Sequence, residues 1–370
     1  MNKQYEAAVI GGGIIGSAIA YYLAKEKIDT AVFDGGRIGE KTTSAAAGML
    51  GAHSESIGDF SVFFPFARTS QRAYAALKDE LYEQSGVDIG YKKGGILKLA
   101  YTEEDQKNLE PLLVQPTVQW LESEDVIYME KEVSPDALGA AYIPDDVSVL
   151  PNRTCESFAK SAQALGASIF ENHPVYSIEK QAGNYIIHTA QGDVEAKYVV
   201  VATGVLSNSL FKHLVLSERL SPVKGESLIV RADKPLLKHT LFHDSCYIVP
   251  RNNGTLVIGA TMVENDWSDT VSLEGIQFLI EKAKTMMPAA AQLTIDRVIA
   301  GLRPGTFDGR PFIGRHPEDK HILVACGHYR NGILLAPATG QMIRDFILEK
   351  DIPSEWIEAF RVDRRQLVMA

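Results

Sequence analysis

Residues 5–34, YEAAVIGGGIIGSAIAYYLAKEKIDTAVFD, decide the fold. Tyr5–Ile10 read as a short buried strand, Gly11–Gly16 as a turn, Ile14–Lys25 as a helix and Thr30–Asp34 as a second strand. That order opens a βαβ unit. Gly11, Gly13 and Gly16 fit G-x-G-x-x-G: the first permits a tight turn, the second lets a pyrophosphate approach the backbone, and the third lets helix and strand pack closely. Free N–H groups and the dipole at the start of the helix favour phosphate there. Asp34 ends the second strand 18 positions after Gly16, where a carboxylate can accept hydrogen bonds from ribose hydroxyls.

The same region carries a competing reading. Residues 7–24 run for 18 positions without a charge, the shortest length at which a membrane span or signal-peptide core has to be weighed. Four glycines interrupt the run, and Lys3 is offset by Glu6, so neither an unbroken helix nor a basic start is present. The expectation is a dinucleotide cradle, with no membrane or export segment.

The full chain has 370 residues, 45% apolar and 23% charged, which is globular but too long for one simple core, so two intimately joined domains are expected. Its 37 basic and 47 acidic residues give a net charge of −10, which argues against broad nucleic-acid binding or a polybasic membrane anchor. Cys155, Cys246 and Cys326 are widely separated and form no C-x-x-C pair, pointing to a reducing, cytoplasmic setting and to no metal site.

Beyond Asp34, GGRIGEKTTSAAAGMLGAH suits a close-fitting cofactor lining; Thr42, Thr43 and Ser44 can donate to phosphates or, equally, cap a helix entering Ala45–Ala47. Asp59–Ser85 reads as helix, Tyr91–Tyr101 as a strand, Thr102–Asp105 as a capping signal and Pro151–Gly166 as another helix. Short strands follow from Ser168, and Tyr198–Ala202 returns to a central parallel sheet. Residues 221–263 are β-rich, with Asn253-Gly254 as a hairpin turn, then a helix at Leu273–Met287. Strand-like pieces, a Gly-rich turn and a terminal helix complete the chain. Without repeats or an obvious linker, the domains are expected to interweave. The fold class is α/β (α+β overall): a Rossmann-like domain over 1–85, 150–220 and 300–370, and an antiparallel β-rich substrate-binding domain over 86–149 and 221–299.

Six motifs occur in order: GGGIIG (11–16), VFD (32–34), TTSAAAGM (42–49), VVVATG (199–204), GLRPGTFDGRPFIG (301–314) and GHYRNGILLAPATG (327–340). In this series the chain resembles, over essentially its whole length, the glycine/D-amino-acid oxidase family of FAD-dependent amine oxidases, and within it the branch serving thiazole biosynthesis. The resemblance implies FAD held by Gly11, Gly13, Ile14, Ile15 and Gly16, by Asp34 and Gly35, and by Thr42, Thr43, Ala47, Gly48 and Met49. Val175 would meet the adenine side, and His328, Tyr329, Arg330, Asn331, Gly332, Ile333 and Leu334 would surround the flavin. Some relatives attach flavin through a cysteine after the substrate arginine; PGTFDGRPFIG has none, so FAD is expected to be noncovalent.

Arg303, flanked by glycines and Pro304, suits a carboxylate clamp because guanidinium matches carboxylate bidentately, the alternative being a surface arginine. The family's substrate arginine maps onto it. Tyr247 matches a tyrosine assisting carboxylate binding, or is a core strand aromatic; Met262 matches an apolar wall, or is a core methionine. Arg330 is expected near substrate as well as flavin. Ser245 and Phe242 depart from the histidine and tyrosine expected at those places. The implied reaction is oxidation of glycine, and more slowly of sarcosine and small D-amino acids, to an imine, with oxygen as acceptor and hydrogen peroxide as product. Transfer of the imine to thiazole synthase and a homotetramer are implied by the resemblance alone. The rival readings are a sarcosine oxidase or D-amino-acid dehydrogenase and, from another class, a noncatalytic dinucleotide-binding regulatory module.

Overall fold

Gln4–Ile10 pairs in parallel with Thr30–Phe33 on one side and Gly192–Val201 on the other, so the first strand lies inside a sheet. The computed structural model describes residues 3–55, 59, 61–181 and 183–365. Both faces of the strand are covered, which is why its inner half carries no polar side chain. Ala7 and Val9 join a core with the helices Ile14–Lys25, Phe63–Ser85, Pro151–Ala164 and Gly332–Ile347. Ala8 and Ile10 point the other way, into a core with Leu210, Phe211 and Phe312. Ser168–Phe170 extends the sheet beyond Thr30–Phe33, and Asp319–Cys326 adds a further parallel strand beside Gly192–Val201.

The second sheet has nine strands. Ser221–Arg231 pairs with Thr255–Gly259 and the short Val263–Glu264 on one side and with the 12-residue Thr294–Gly305 on the other; Cys246–Pro250, Thr240–His243, Ile96–Ala100, Gly139–Ile143 and Gln119–Glu122 follow in order. All pairings are antiparallel except Thr240–His243 with Ile96–Ala100. One face, including Leu228, Val230, Ile248 and Ile258, is buried beneath the Leu273–Met286 helix. The other, including Ile229, Phe242, Tyr247 and Val257, packs on Ala47 and Met49. Period-two alternation thus divides each strand between a structural face and one turned toward the first domain's small-residue segment.

Several local expectations are corrected. Tyr91–Tyr101 is two strands: the chain turns at Gly94-Gly95, and Lys92–Lys93 joins Met49–Leu50 and Val147–Ser148 in a small separate sheet. Gly95 has φ +77°, and a Cβ there would lie 2.9 Å from the Ile143 carbonyl oxygen. Thr42–Ala47 forms turns and no helix. Of the strand-like pieces read from Thr294 onward, Thr294–Gly305 is one continuous strand and Phe312–His316 a separate one, and Ser354–Phe360 is a helix that the periodicity does not announce. The helix read from Asp59 begins at Phe63; Phe60 lies outside the described residues. No described helix is long and apolar enough to cross a membrane. The three cysteines are buried and unpaired.

Close contact at the first turn has a measurable consequence. A Cβ on Gly16 would stand 1.8 Å from the carbonyl oxygen of Gly11, a backbone atom that cannot rotate away. Gly16→Ala is expected to destabilise the fold by about 3 kcal/mol or more, the upper range for overpacking. Urea unfolding measures this, and an unchanged midpoint would refute the packing role.

Candidate active site

The Ile14–Lys25 helix starts at Gly13 with no acidic residue in its first turn and no cap from its own N-cap side chain. Its positive end therefore stays largely uncompensated. Thr43 Oγ1 accepts from the N–H of Ile14 at 3.1 Å, fastening the 42–49 segment to the helix start. A Cβ on Gly13 would find only that Thr43 oxygen, at 3.6 Å, so this glycine faces open space where Gly11 and Gly16 face backbone. Asp34 accepts from Gly12 N at 2.6 Å and from Gly36 N at 2.8 Å, which holds its carboxylate at the rim of the same turn. Pro174, preceding Val175, lies against Gly35. At the other end, Gly332 begins the Gly332–Ile347 helix close to the Ile14 side chain, so two helix N-termini converge. Ile15, Ala47, Ile333 and Leu334 are buried around this junction, and Val149 N donates to the Gly48 carbonyl at 2.9 Å.

The second sheet supplies the facing wall. Tyr247 pairs across strands with Gly259 on one side and Phe242 on the other, which puts all three on one face. A Cβ on Gly259 would lie 2.7 Å from the Tyr247 hydroxyl, so the phenol occupies the space that glycine leaves. Gly225 does the same for Arg303: its Cβ would fall 2.3 Å from Nη2. Arg303 Nη1 donates to Thr261 O at 3.0 Å and to Lys224 O at 3.4 Å. It makes no ion pair among the described residues, and burial pushes its pKa down while the Tyr247 phenol acts in the opposite sense. The Arg303 strand is tied to the cofactor segment, since Thr42 Oγ1 donates to Leu302 O at 2.8 Å. Arg251 reinforces the joint by donating to Val149 O at 2.6 Å and to Ala47 O.

Arg330 differs electrostatically from Arg303. Its Nη2 lies 3.1 Å from Glu55 Oε1, and that carboxylate raises its pKa. Its Nη1 and the Tyr329 hydroxyl each approach Met262 Sδ at 3.4 Å, placing Met262 between them, partly open to solvent. Sequence reasoning did not single out Glu55, nor Lys98, a buried lysine whose Nζ lies 4.6 Å from the centre of the Phe242 ring and donates to Ser54 O at 3.2 Å. Phe242 is buried, whereas Ser245 is half-buried in the turn before Cys246. His328 is buried, with Nε2 3.0 Å from Thr339 Oγ1, and burial pushes its pKa down to about 3, so the ring is neutral.

Paired helix N-termini at a glycine-rich turn, faced by a sheet carrying a guanidinium that forms no ion pair among the described residues, are the arrangement of a dinucleotide-dependent oxidoreductase. Residues 6–346 match the FAD dependent oxidoreductase (DAO) family, and the chain belongs to it. Over 368 residues, covering 100% of both chains, it is 53% identical to the Glycine oxidase of Bacillus subtilis (strain 168). The crystal structure of glycine oxidase from Geobacillus kaustophilus superposes with a TM-score of 0.92 at 38% identity, covering 95% of this chain and 96% of that one. The Bifunctional protein ThiO/ThiG of Synechocystis sp. (strain PCC 6803) is 33% identical over 98% of this chain, which corresponds to 54% of that protein. FAD is the cofactor of the family, and the open Gly13 edge, the helix start without an acidic residue and the Asp34 carboxylate fit it.

The neutrality of His328 predicts an acid-side loss of stability. Between its ordinary pKa of 6.5 and about 3, the unfolded chain binds a proton that the folded chain refuses. The stabilising contribution is therefore complete above 6.5 and falls as pH drops, by about 1.4 kcal/mol per pH unit. His328→Gln removes this slope, so the unfolding free energy of the wild type minus that of the variant should decrease from about pH 7 to about pH 5. A difference independent of pH would contradict burial of the neutral ring.

Proposed function

We propose that this chain catalyses the FAD-dependent oxidation of glycine, and more slowly of sarcosine and small D-amino acids, with oxygen as electron acceptor. Glycine, oxygen and water would yield glyoxylate, ammonia and hydrogen peroxide. The observation that carries the reading is the guanidinium of Arg303, turned toward Tyr247 and lacking a carboxylate partner among the described residues. A desolvated charge without a counter-ion is costly, and a substrate carboxylate offsets that cost. The identity to glycine oxidases supports the same substrate class.

In this reading Arg303 takes the carboxylate and the Tyr247 hydroxyl assists, fixing the amino acid by one end. Phe242, buried beside Tyr247, would narrow the space around the Cα, and Met262, between Arg330 and Tyr329 at the solvent-exposed edge, would form its apolar wall. Bound FAD supplies the hydride acceptor and, through oxygen, the route to peroxide. Catalytic gain comes from orientation and desolvation, with no side chain required to form a covalent bond. The glycines and hydroxyls assigned to FAD would line the cradle from Gly11 to Met49, and His328–Leu334 would surround the flavin.

Residues 1–85, 150–220 and 300–370 would bind FAD, and residues 86–149 and 221–299 would bind substrate. Similarity to a ThiO/ThiG protein supports delivery of the imine to thiazole synthase before water reaches it. A homotetramer in the cytoplasm completes the reading: the edge strand Thr294–Gly305 exposes Ile295 and Val298, and the three buried thiols are unpaired.

Arg303→Ala should raise KM for glycine on the order of 30-fold or more, equivalent to about 2–4 kcal/mol for a charge-assisted pair in a desolvated site. Peroxide release from glycine, sarcosine, D-alanine and D-proline, measured in parallel, sets the substrate order; no release from glycine would overturn the assignment. Because no cysteine follows Arg303 before Cys326, acid precipitation should leave the yellow cofactor in the supernatant. Colour retained in the pellet would establish covalent attachment.

A further inference from the structure

On the side of the second sheet away from Tyr247 lies a charged cluster that the proposed reaction does not use. Lys224 and Glu226 are 5% and 1% exposed, two positions apart on one strand, and hence on the face opposite Gly225 and Ser227. Lys224 Nζ lies 3.3 Å from Glu226 Oε1 and 3.2 Å from Asp266 Oδ2, and donates to Ser268 Oγ at 3.0 Å. Ser272 donates to the Glu226 carboxylate from its backbone N at 2.8 Å and from its hydroxyl at 3.4 Å. The carboxylate thus sits at the start of the Leu273–Met286 helix, so close to Gly275 that a Cβ there would be 1.7 Å from Oε2. Burial alone raises the pKa of Glu226, but the Ser272 N–H and Lys224 outweigh it and hold the carboxyl below its usual range.

Glu226 also grips Thr261 at three points. Thr261 Oγ1 accepts from Glu226 N at 2.9 Å and donates to Glu226 Oε2 at 3.1 Å, and Thr261 N donates to Glu226 O at 3.2 Å. The remaining polar atom, Thr261 O, accepts from Arg303 Nη1. Lys224, the other anchor of the cluster, offers its own carbonyl to the same Nη1. Both recorded hydrogen bonds of the guanidinium therefore end on carbonyls whose residues belong to the cluster, and both use one corner of the fork. A buried ion cluster is weak evidence of stabilisation in itself, but it fixes geometry well.

We propose that Glu226 and Thr261 are positioning residues for Arg303: the cluster behind the sheet locks the Thr261 carbonyl, and this carbonyl aims the guanidinium at the substrate carboxylate. The inference rests on Arg303 being the carboxylate clamp of the proposed function. Neither residue touches substrate. Thr261 also immediately precedes Met262, so the same lock sets the apolar wall beside Arg330.

The test uses holoenzymes of Thr261→Val, Thr261→Ser and Glu226→Gln, each made in the wild type and in Arg303→Ala. Thr261→Val preserves shape and removes both hydroxyl bonds. It should raise KM for glycine, and the dissociation constant of acetate read from the flavin spectrum, about tenfold with kcat within about twofold, the size of one loosened hydrogen bond to a charged group. Thr261→Ser should restore both values. In Arg303→Ala, where nothing remains to be aimed, Thr261→Val should change neither by more than about twofold, the non-additivity expected of residues acting through one another. Glu226→Gln carries the same comparison if Thr261→Val does not fold. An equal effect in both backgrounds, or an unchanged KM in the wild-type background, overturns the proposal. If Arg303→Ala itself leaves KM unchanged, the clamp reading fails instead.

Discussion

The approach of Gly16 to the carbonyl of Gly11 is the contact on which the molecule's geometry depends. A helix axis normally stands well clear of a neighbouring strand because side chains intervene, and here none does. The Ile14–Lys25 helix can therefore lie directly on the end of Gln4–Ile10, with its N-terminus at the sheet's carboxyl edge. Everything that meets there takes its position from that contact. Thr43 bonds the helix start, Thr42 reaches the Leu302 carbonyl, and the Arg303 strand is thereby held to the cradle. A shift of this helix would move the proposed phosphate site and the proposed carboxylate site together.

The second sheet solves a different packing problem with the same residue type. A guanidinium and a phenol must lie along a sheet surface rather than stand away from it, and a side chain beneath either would push it off. Gly225 and Gly259 remove those side chains at the two places required. Glycine inside a strand weakens the strand, so its presence marks a close approach. Here the loss of local propensity is offset by the long antiparallel pairing of Ser221–Arg231 with Thr294–Gly305.

Legibility in the sequence follows from how local each cause is. The βαβ opening was readable because strand, glycines, helix and terminal acid lie within 30 residues, and the helix bounds Ile14–Lys25 agree with the structure. Arg303 and Tyr247 stood out by chemical type and motif. Gly259 has a signal, ending the apolar run Leu256–Ile258, but reading it requires knowing which side chain fills the gap, and Gly225, between Lys224 and Glu226, has none. Glu55 and Lys98 had almost none: a glutamate near a glycine-rich turn and a lysine in ILKLA look like surface residues. Their meaning comes from pairings 275 residues apart in one case and from burial of a whole strand in the other. At Thr42–Ser44 the sequence leaves phosphate donation and a local helix cap open, and the structure shows no local helix there: Thr43 caps one that starts 29 residues earlier.

The charge arrangement follows from these distant contacts. Asp146, fully buried, accepts from His53 N, Ser54 N and Gln71 Nε2 and lies 3.1 Å from His53 Nδ1, which fixes the turn leading to Glu55. Glu55 is thereby delivered to Arg330, whose charge is matched. Arg303, 27 positions earlier in the chain, donates to two carbonyls and forms no ion pair among the described residues, Glu55 acting on it only at longer range. Two arginines in one site thus acquire unequal demands for an anion, although their intrinsic chemistry is identical. Under the proposed function a substrate carboxylate would gain most at Arg303, because binding there would create a pair where none exists, whereas at Arg330 it would compete with Glu55. In a chain of net charge −10 the anion affinity proposed for this site would follow from which cation the protein leaves without an ion pair, and the Asp146 network contributes to that difference by delivering Glu55 to Arg330.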